Sequence, residues 1–415
     1  MKILFLTSEG FDTPNSTNHL AETLLEDFLK RGIEVHSITS HKTGTYDDIP
    51  SSLMKYASSG FSYDVVNRDN IDKNNFVKRY LDEIKYAFRA RKIWKKHKGE
   101  YDAVLLQSNP NSVINAVLLK KLKCPIVLNL YDVFPGHAMS IGVIKSKFVY
   151  NVFRFLQKIL YKRCRYIVAM SDDMKQQLLD EKVPSEKVRV IRNWFDDDIF
   201  EPIPRDENKF FEKYKLDKSK FYVQFAGLLG YVFDYKMYLD VAERLKDHPD
   251  ILFLLIGDGN QRAVIDEQIQ ARGITNILRY PWQPLDIIAH VYSACDIGII
   301  PLKPGVIGNG IPSKACQLMA ARRVILNSVE KSEYTSTFEE YDMGENVTDH
   351  NSESVAKRIL YLYENSERRE IIGENACKYA YNNYSRKKNT AQFADLMLSL
   401  HNEKTDAKSK PGKQS

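Results

Sequence analysis

The stretch Pro301–Arg323, PLKPGVIGNGIPSKACQLMAARR, holds the residue types and spacing best suited to chemistry in this chain. An apolar run ends at Pro301, and a loop with Gly305, Gly308 and Gly310 follows. Pro312-Ser313-Lys314 then opens a helical pattern backed by Cys316, Leu318, Met319 and Ala320. Pro and Ser are ordinary at a helix start. A lysine in the first turn is not, because the amino end of the helix dipole favours anions. A bound diphosphate would reconcile the two, taking backbone amides and the ammonium together. A solvated lysine there costs little, so both readings stand at this point.

Two further glycine turns follow apolar runs, Phe225-Ala226-Gly227-Leu228-Leu229-Gly230 and Ile256-Gly257-Asp258-Gly259-Asn260. Glycine lets backbone amides face a phosphate, although strand-to-helix turns favour it anyway. In the first half, Ser8-Glu9-Gly10-Phe11 follows the first apolar run, and Gly10 is either a close-approach position or a plain turn. Leu130-Tyr131-Asp132-Val133-Phe134-Pro135-Gly136-His137 puts Asp132 and His137 just past another run. Asp196-Asp197-Asp198 contains D-x-D, a metal-holding pattern in some enzymes, but its place in an aperiodic segment makes a solvated turn the better reading. No G-x-G-x-x-G follows the first strand, which argues against a nicotinamide cofactor there. Walker loop, G-x-S-x-G elbow, H-x-x-x-H ladder and CxxC pair are also missing.

These turns need elements to position them. The runs Lys2–Ser8, Ile33–Thr39, Ala103–Gln107, Pro125–Leu130, Tyr166–Met170 and Val188–Ile191 are continuously apolar, as strands buried on both faces should be. Helical patterns near Asn18–Arg31, Asn75–Lys98, Ser112–Lys121, Lys145–Arg163 and Asp172–Glu181 alternate with them. The rhythm restarts at Phe221–Phe225, Ile251–Ile256, Asn276–Tyr280, Ile297–Leu302 and Val324–Asn327, and ends in helices near Ser352–Glu364, Glu367–Asn382 and Arg386–Leu400. This predicts an α/β protein of two Rossmann-like, doubly wound domains facing across a cleft. The expected division is an N-terminal domain 1–195, a linker 196–208, a C-terminal domain 209–382, a helix 383–401 returning to the first domain and a disordered tail 402–415.

Composition narrows the class. A chain of 415 residues with 43% hydrophobic and 27% charged is neither disordered nor a small disulfide scaffold. Five scattered cysteines suit a reduced, cytoplasmic compartment. MKILFLTS is too short an apolar run for a signal peptide, and no stretch is apolar enough to span a bilayer. The net charge is only +6, yet residues 77–98 hold nine Lys or Arg against Asp82 and Glu83, and residues 144–165 hold seven and no acid. Both segments carry apolar residues at helical spacing, which suits an anionic membrane surface as well as an ordinary core-facing helix. No nucleic-acid motif accompanies the charge.

In their order and spacing the motifs carry a resemblance across nearly the whole chain. They are Tyr131-Asp132-Val133-Phe134-Pro135, Arg192-Asn193-Trp194 with Phe200 and Pro202, Phe225-Ala226-Gly227 with Gly230, Ile256-Gly257-Asp258-Gly259, Tyr292–Asp296 with Pro301-Leu302, and Pro312-Ser313-Lys314 with Met319-Ala320. The chain resembles the retaining, nucleotide-sugar-dependent glycosyltransferases of family 4, in the branch that builds bacterial capsule, O-antigen and exopolysaccharide. That resemblance implies the B-type fold and a sugar nucleotide, UDP favoured over GDP, in the C-terminal domain. It implies a lipid-linked or growing glycan acceptor in the N-terminal domain, and no metal or other cofactor. The donor set would be Gly227, Gly230, Gly257, Gly259, Trp282, Asn309, Pro312, Ser313, Lys314 and Gln317. Glu9, Gly10 and Asn109 would meet the acceptor, with Asp132, His137 and Lys314 in catalytic roles. The place implied for the chain is the inner face of the cell membrane, as a peripheral protein. Where many family members carry two glutamates eight positions apart, this chain has neutral Asn309 and Gln317. A non-catalytic partner subunit and a sugar-nucleotide epimerase of the same fold are the alternatives.

Overall fold

The computed structural model describes residues 1–11, 16–41, 49–68, 76–109, 111–136, 139, 144, 146–306 and 312–409. The chain forms two compact units, one of Met1–Arg192 with Lys387–Ser415, the other of Asn193–Arg386.

The first unit is built on seven strands: β1 (Lys2–Leu6), β2 (Glu34–His41), β3 (Phe61–Asn67), β4 (Ala103–Gln107), β5 (Ile126–Asn129), β6 (Tyr166–Ala169) and β7 (Val188–Val190). They form one sheet in the order β3-β2-β1-β4-β5-β6-β7, and every pairing is parallel. Parallel pairing needs crossover helices, and these cover both faces, so β4, β5 and β6 are buried end to end. The strand order reverses between β1 and β4, and ligands of such sheets bind at the carboxyl ends beside that point. β3 is absent from the strands expected of the sequence. At the sheet edge its residues FSYDVVN mix buried with exposed positions, so no continuous apolar run marks it.

The second unit repeats the plan with β8 (Phe221–Ala226), β9 (Ile251–Ile256), β10 (Ile277–Tyr280), β11 (Ile297–Pro301), β12 (Val324–Ser328) and β13 (Glu345–Val347), in the order β10-β9-β8-β11-β12-β13 and again all parallel. Adjacent strand residues point to opposite faces and feed two separate cores. Tyr222, Leu254 and Ile300 join Met319 and Ala376 on one face; Val223, Phe253 and Ile299 join Tyr238 and Ile359 on the other. β13 is a three-residue edge strand, and it too is absent from the expected set.

The segment 196–208, expected as a linker, is packed into the second unit. Phe195 and Phe200 are core residues, the Phe195 amide donates to the Tyr384 carbonyl at 2.9 Å, and Arg205 pairs with Asp296 at 2.7 Å. Asp196, expected in a solvated turn, is buried and accepts from the Arg386 guanidinium at 2.8 Å. Three aspartates read as polar punctuation because their partner lies far along the chain. The last helix, Arg386–Ser409, continues beyond Asn402, where a disordered tail is expected. Within the first unit its Thr390 hydroxyl donates to the Asp27 carboxylate at 2.9 Å. None of the five cysteines is paired with another, and no helix among the described residues is long and apolar enough to cross a membrane.

Candidate active site

In the second unit the glycine turns that end β8 and β9 lie back to back. The Gly227 amide donates to the Ile256 carbonyl and the Leu229 amide to the Asp258 carbonyl, each at 2.9 Å. The approach is so close that a methyl group on Gly257 would stand 2.0 Å from the Gly227 carbonyl oxygen, and one on Gly259 would stand 2.4 Å from that of Leu229. Gln261 fixes the turn from below, its amide nitrogen donating to the carbonyls of Gly230 and Phe233. Nothing in the sequence separates Gln261 from a surface glutamine.

Against this platform stands Lys314. A methyl group on Gly227 would lie 3.1 Å from its Cε and 3.4 Å from its Nζ. The ammonium sits 4.7 Å from the centre of the Phe225 ring, a cation–π contact that the sequence does not reveal. Lys314 is half-buried, and among the described residues no carboxylate pairs with it. Desolvation alone pushes its ammonium down to about 8. The helix it opens, Ser313–Ala320, buries Ala315, Cys316, Leu318, Met319 and Ala320, which holds its axis in place. Its N-cap is Pro312, and no side chain caps its first turn. Ser313 is thus the first helical residue, not a capping one, and the first amides keep their hydrogen-bonding capacity. A desolvated cation with no carboxylate partner among the described residues, beside an uncapped helix start and a glycine turn, is an arrangement suited to an anion.

Gln317, half-buried, lies one turn beyond Ser313 on the same helix face. Trp282 follows β10, two strands from β8, and is 45% exposed. Asn309 lies outside the described residues.

In the first unit the loops after β1, β4 and β5 meet at the corresponding reversal. Glu9, Asn109 and Asp132 line one pocket of about 100 Å³ together with Thr7, Thr17 and Tyr131. Asn109 Oδ1 accepts from the Thr7 hydroxyl at 3.1 Å and the Ser8 amide at 3.2 Å, locking the β1 and β4 loops together. The Tyr131 hydroxyl accepts from Gln107 and from Asn129, both at 3.2 Å, and burial pushes it up to about 12, so it stays neutral. Gly10 does not line the pocket; its carbonyl accepts from the Asn18 side-chain amide at 2.5 Å. His137 lies outside the described residues. Sequence reasoning misses the support beneath this pocket. Arg68 donates to the Ser8 carbonyl at 2.8 Å while pairing with Asp82 at 2.6 Å and Glu83 at 2.8 Å. Asp82 and Glu83 read as minor members of a charged surface helix, yet Asp82 is 3% exposed.

Residues 17–199 match the family described as Glycosyltransferase Family 4, and residues 206–379 match Glycosyl transferases group 1. The chain is 28% identical over 293 residues to "Probable glycosyltransferase WbjE" of Pseudomonas aeruginosa, covering 69% of this chain and 72% of that one. It is 23% identical over 155 residues to "Putative colanic acid biosynthesis glycosyl transferase WcaI" of Escherichia coli (strain K12), covering 37% and 38%. Among solved structures, Anabaena Alr3699/HepE in complex with UDP and glucose superimposes with a TM-score of 0.73 at 16% identity, over 96% of this chain and 100% of that one. WaaG, a glycosyltransferase involved in lipopolysaccharide biosynthesis, does so with a TM-score of 0.68 at 13% identity, over 96% and 99%.

Proposed function

Because the chain belongs to glycosyltransferase family 4, as a nucleotide-sugar-dependent retaining enzyme with the B-type fold, we propose that it transfers a hexose from a UDP-sugar to a lipid-linked or growing surface-polysaccharide acceptor. The observation that carries this reading is the half-buried Lys314, without a carboxylate partner among the described residues, against Gly227 at an uncapped helix start. A nucleoside diphosphate is an anion of the kind that such a place suits. The uridine preference rests on the likeness to HepE, solved with UDP, and the polysaccharide on the likeness to WbjE and WcaI.

In the proposed step the bond from the anomeric carbon to the β-phosphate oxygen breaks, and the acceptor oxygen bonds to that carbon from the same face. The acceptor proton passes to the departing phosphate. Charge accumulates on the diphosphate, so the Lys314 ammonium and the amides at Ser313 and Lys314 act where the transition state needs them. Gly230 admits the phosphates and Gln317 hydrogen-bonds the ribose hydroxyls as a neutral partner. The acceptor hydroxyl binds in the pocket of the first unit, oriented by Asp132, with Glu9 and Asn109 shaping its walls. No metal is assigned to this step, and EDTA is expected to leave the rate unchanged.

Purified enzyme with a UDP-sugar and lipid-linked acceptors should release UDP only when acceptor is present, and the product should keep the donor's anomeric configuration by NMR. Donor conversion without acceptor would make the protein an epimerase instead. Nucleotide binding without any transfer would make it a partner subunit, the role that neutral Gln317 would suit.

With a lipid-linked acceptor, the reading includes work at the cytoplasmic membrane face. Helices Phe76–Trp94 and Lys147–Arg163 are joined edge to face through Tyr80 and Phe153, whose ring centres are 5.9 Å apart. They expose Leu81, Phe88, Phe148, Val152 and Phe155, with Phe148 at 77% and Phe155 at 64%. Exposed aromatic rings flanked by Lys147, Lys158 and Lys162 suit an anionic bilayer. Replacing Phe148 and Phe155 together with Ser is expected to reduce binding to phosphatidylglycerol vesicles at least tenfold in co-sedimentation, with thermal stability unchanged. Equal binding by the variant would remove these helices as the docking face.

A further inference from the structure

Away from both glycine turns and the first-unit pocket, one cluster of metal-ligating side chains stands out among the described residues. His36 near the start of β2, Asp64 on β3 and His97 after the helix Phe76–Trp94 bring one ligand atom each within 4.8 Å of one another. His36 Nε2 already lies 2.9 Å from Asp64 Oδ2, and the His36 and His97 rings meet edge to face with centres 4.9 Å apart.

Two features distinguish this trio from a chance gathering. Each imidazole has its Nδ1 occupied from outside the cluster: His36 by the Tyr101 hydroxyl at 2.5 Å, His97 by the Glu100 carboxylate at 3.1 Å. Such outer partners fix the ring orientation and leave Nε2 to ligate, the pattern seen around protein-bound zinc. His36 is also only 2% exposed, so its surroundings hold the ring in one place. The nearby Lys2 ammonium is compensated by Glu100 at 2.6 Å.

We propose that His36, Asp64 and His97 form a structural site for a borderline divalent transition metal, zinc above all, in the first unit. Two imidazoles and a carboxylate are a donor set suited to Zn²⁺ and poorly matched to Mg²⁺ or Ca²⁺. Metal–ligand bonds of roughly 2.0–2.1 Å put tetrahedral ligands about 3.3 Å apart. The 2.9 Å pair is already close to that, and the half-exposed His97 side chain has room to close the remaining distance. Water completes the coordination. The metal ties the end of one helix to the β2–β3 edge, where Asp64 and Tyr63 lie on a strand with few fully buried positions. This inference does not depend on the sugar-transfer reading.

The test uses tag-free, full-length protein stripped with a chelator and titrated with Zn²⁺ or Co²⁺. The expected result is one equivalent bound, a rise in melting temperature, and visible Co²⁺ absorption of a tetrahedral site. His97→Ala and Asp64→Asn should each abolish the melting shift, and Glu100→Gln should weaken binding about tenfold. The response to UDP should survive in all three variants, which separates this site from the donor site. No shift with wild-type protein, or an equal shift in the His97 and Asp64 variants, would overturn the proposal.

Discussion

Lys314→Met is expected to lower kcat/KM about 10²–10³-fold and to abolish the UDP-induced melting shift, while the unliganded protein melts no lower than wild type at pH 7. Both halves follow from the same observation. The ammonium is half-buried over the Phe225 ring with no described carboxylate beside it, so in the empty enzyme it is a net cost that an apolar side chain of similar length removes. With diphosphate bound it becomes a close, desolvated counter-charge. Its depressed titration point sets the pH dependence. Burial brings it down to about 8, so below that pH the folded and unfolded chains are both protonated and the full desolvation cost is present. Above it the folded chain loses the proton and the unfolded chain keeps it, so stability of the empty enzyme rises with pH from about 8 towards the ordinary lysine range. UDP affinity runs the other way, because binding needs the charge. It should fall about tenfold between pH 7 and 9, as the protonated fraction drops. Calorimetry across that range checks the sign, and a flat profile shared by wild type and Lys314→Met would remove Lys314 from the site.

Gly257→Ala is expected to cost about 2–6 kcal/mol of stability in the second unit. A new methyl group would meet the Gly227 carbonyl oxygen at 2.0 Å, and the backbone there has φ +132°, a region that L residues avoid. Overpacking of about 1–3 kcal/mol and backbone strain of about 1–3 kcal/mol act together. The neighbour is main chain held by the bond from Gly227 to Ile256, so it cannot swing aside. Gly227→Ala makes the informative contrast. Its φ of +143° brings similar strain, but its closest neighbour is the flexible end of Lys314. That variant should fold with a smaller loss yet fail to respond to UDP, because the lysine is displaced. Denaturant unfolding of both variants, read beside UDP binding, separates the two effects. Equal stability of Gly257→Ala and wild type would contradict the back-to-back turns.

Strands buried on both faces announce themselves as unbroken apolar runs, which is why β1, β4, β5, β8, β9 and β11 are legible in the residues alone. β3 and β13 lie at sheet edges, where one flank needs no apolar partner, and they leave no such run. Lys314 is legible because its charge conflicts with the helix start that holds it. Phe225 beneath it is not, since a phenylalanine ending an apolar strand reads as core whether or not a cation rests on it. Buried ion pairs are the hardest to see. Arg68 with Asp82, and Asp196 with Arg386, look like surface charge until folding brings distant partners together. The trio His36, Asp64 and His97 escapes for the same reason, its members being spread over two strands and a helix end.

The most direct test of the donor site is a crystal of the protein soaked with UDP. The diphosphate is expected against the Ser313 and Lys314 amides, with the Lys314 ammonium within hydrogen-bonding distance of a β-phosphate oxygen and the phosphates passing over Gly230. A diphosphate bound elsewhere, or native side chains filling the space beside Gly227 and Lys314, would contradict the account.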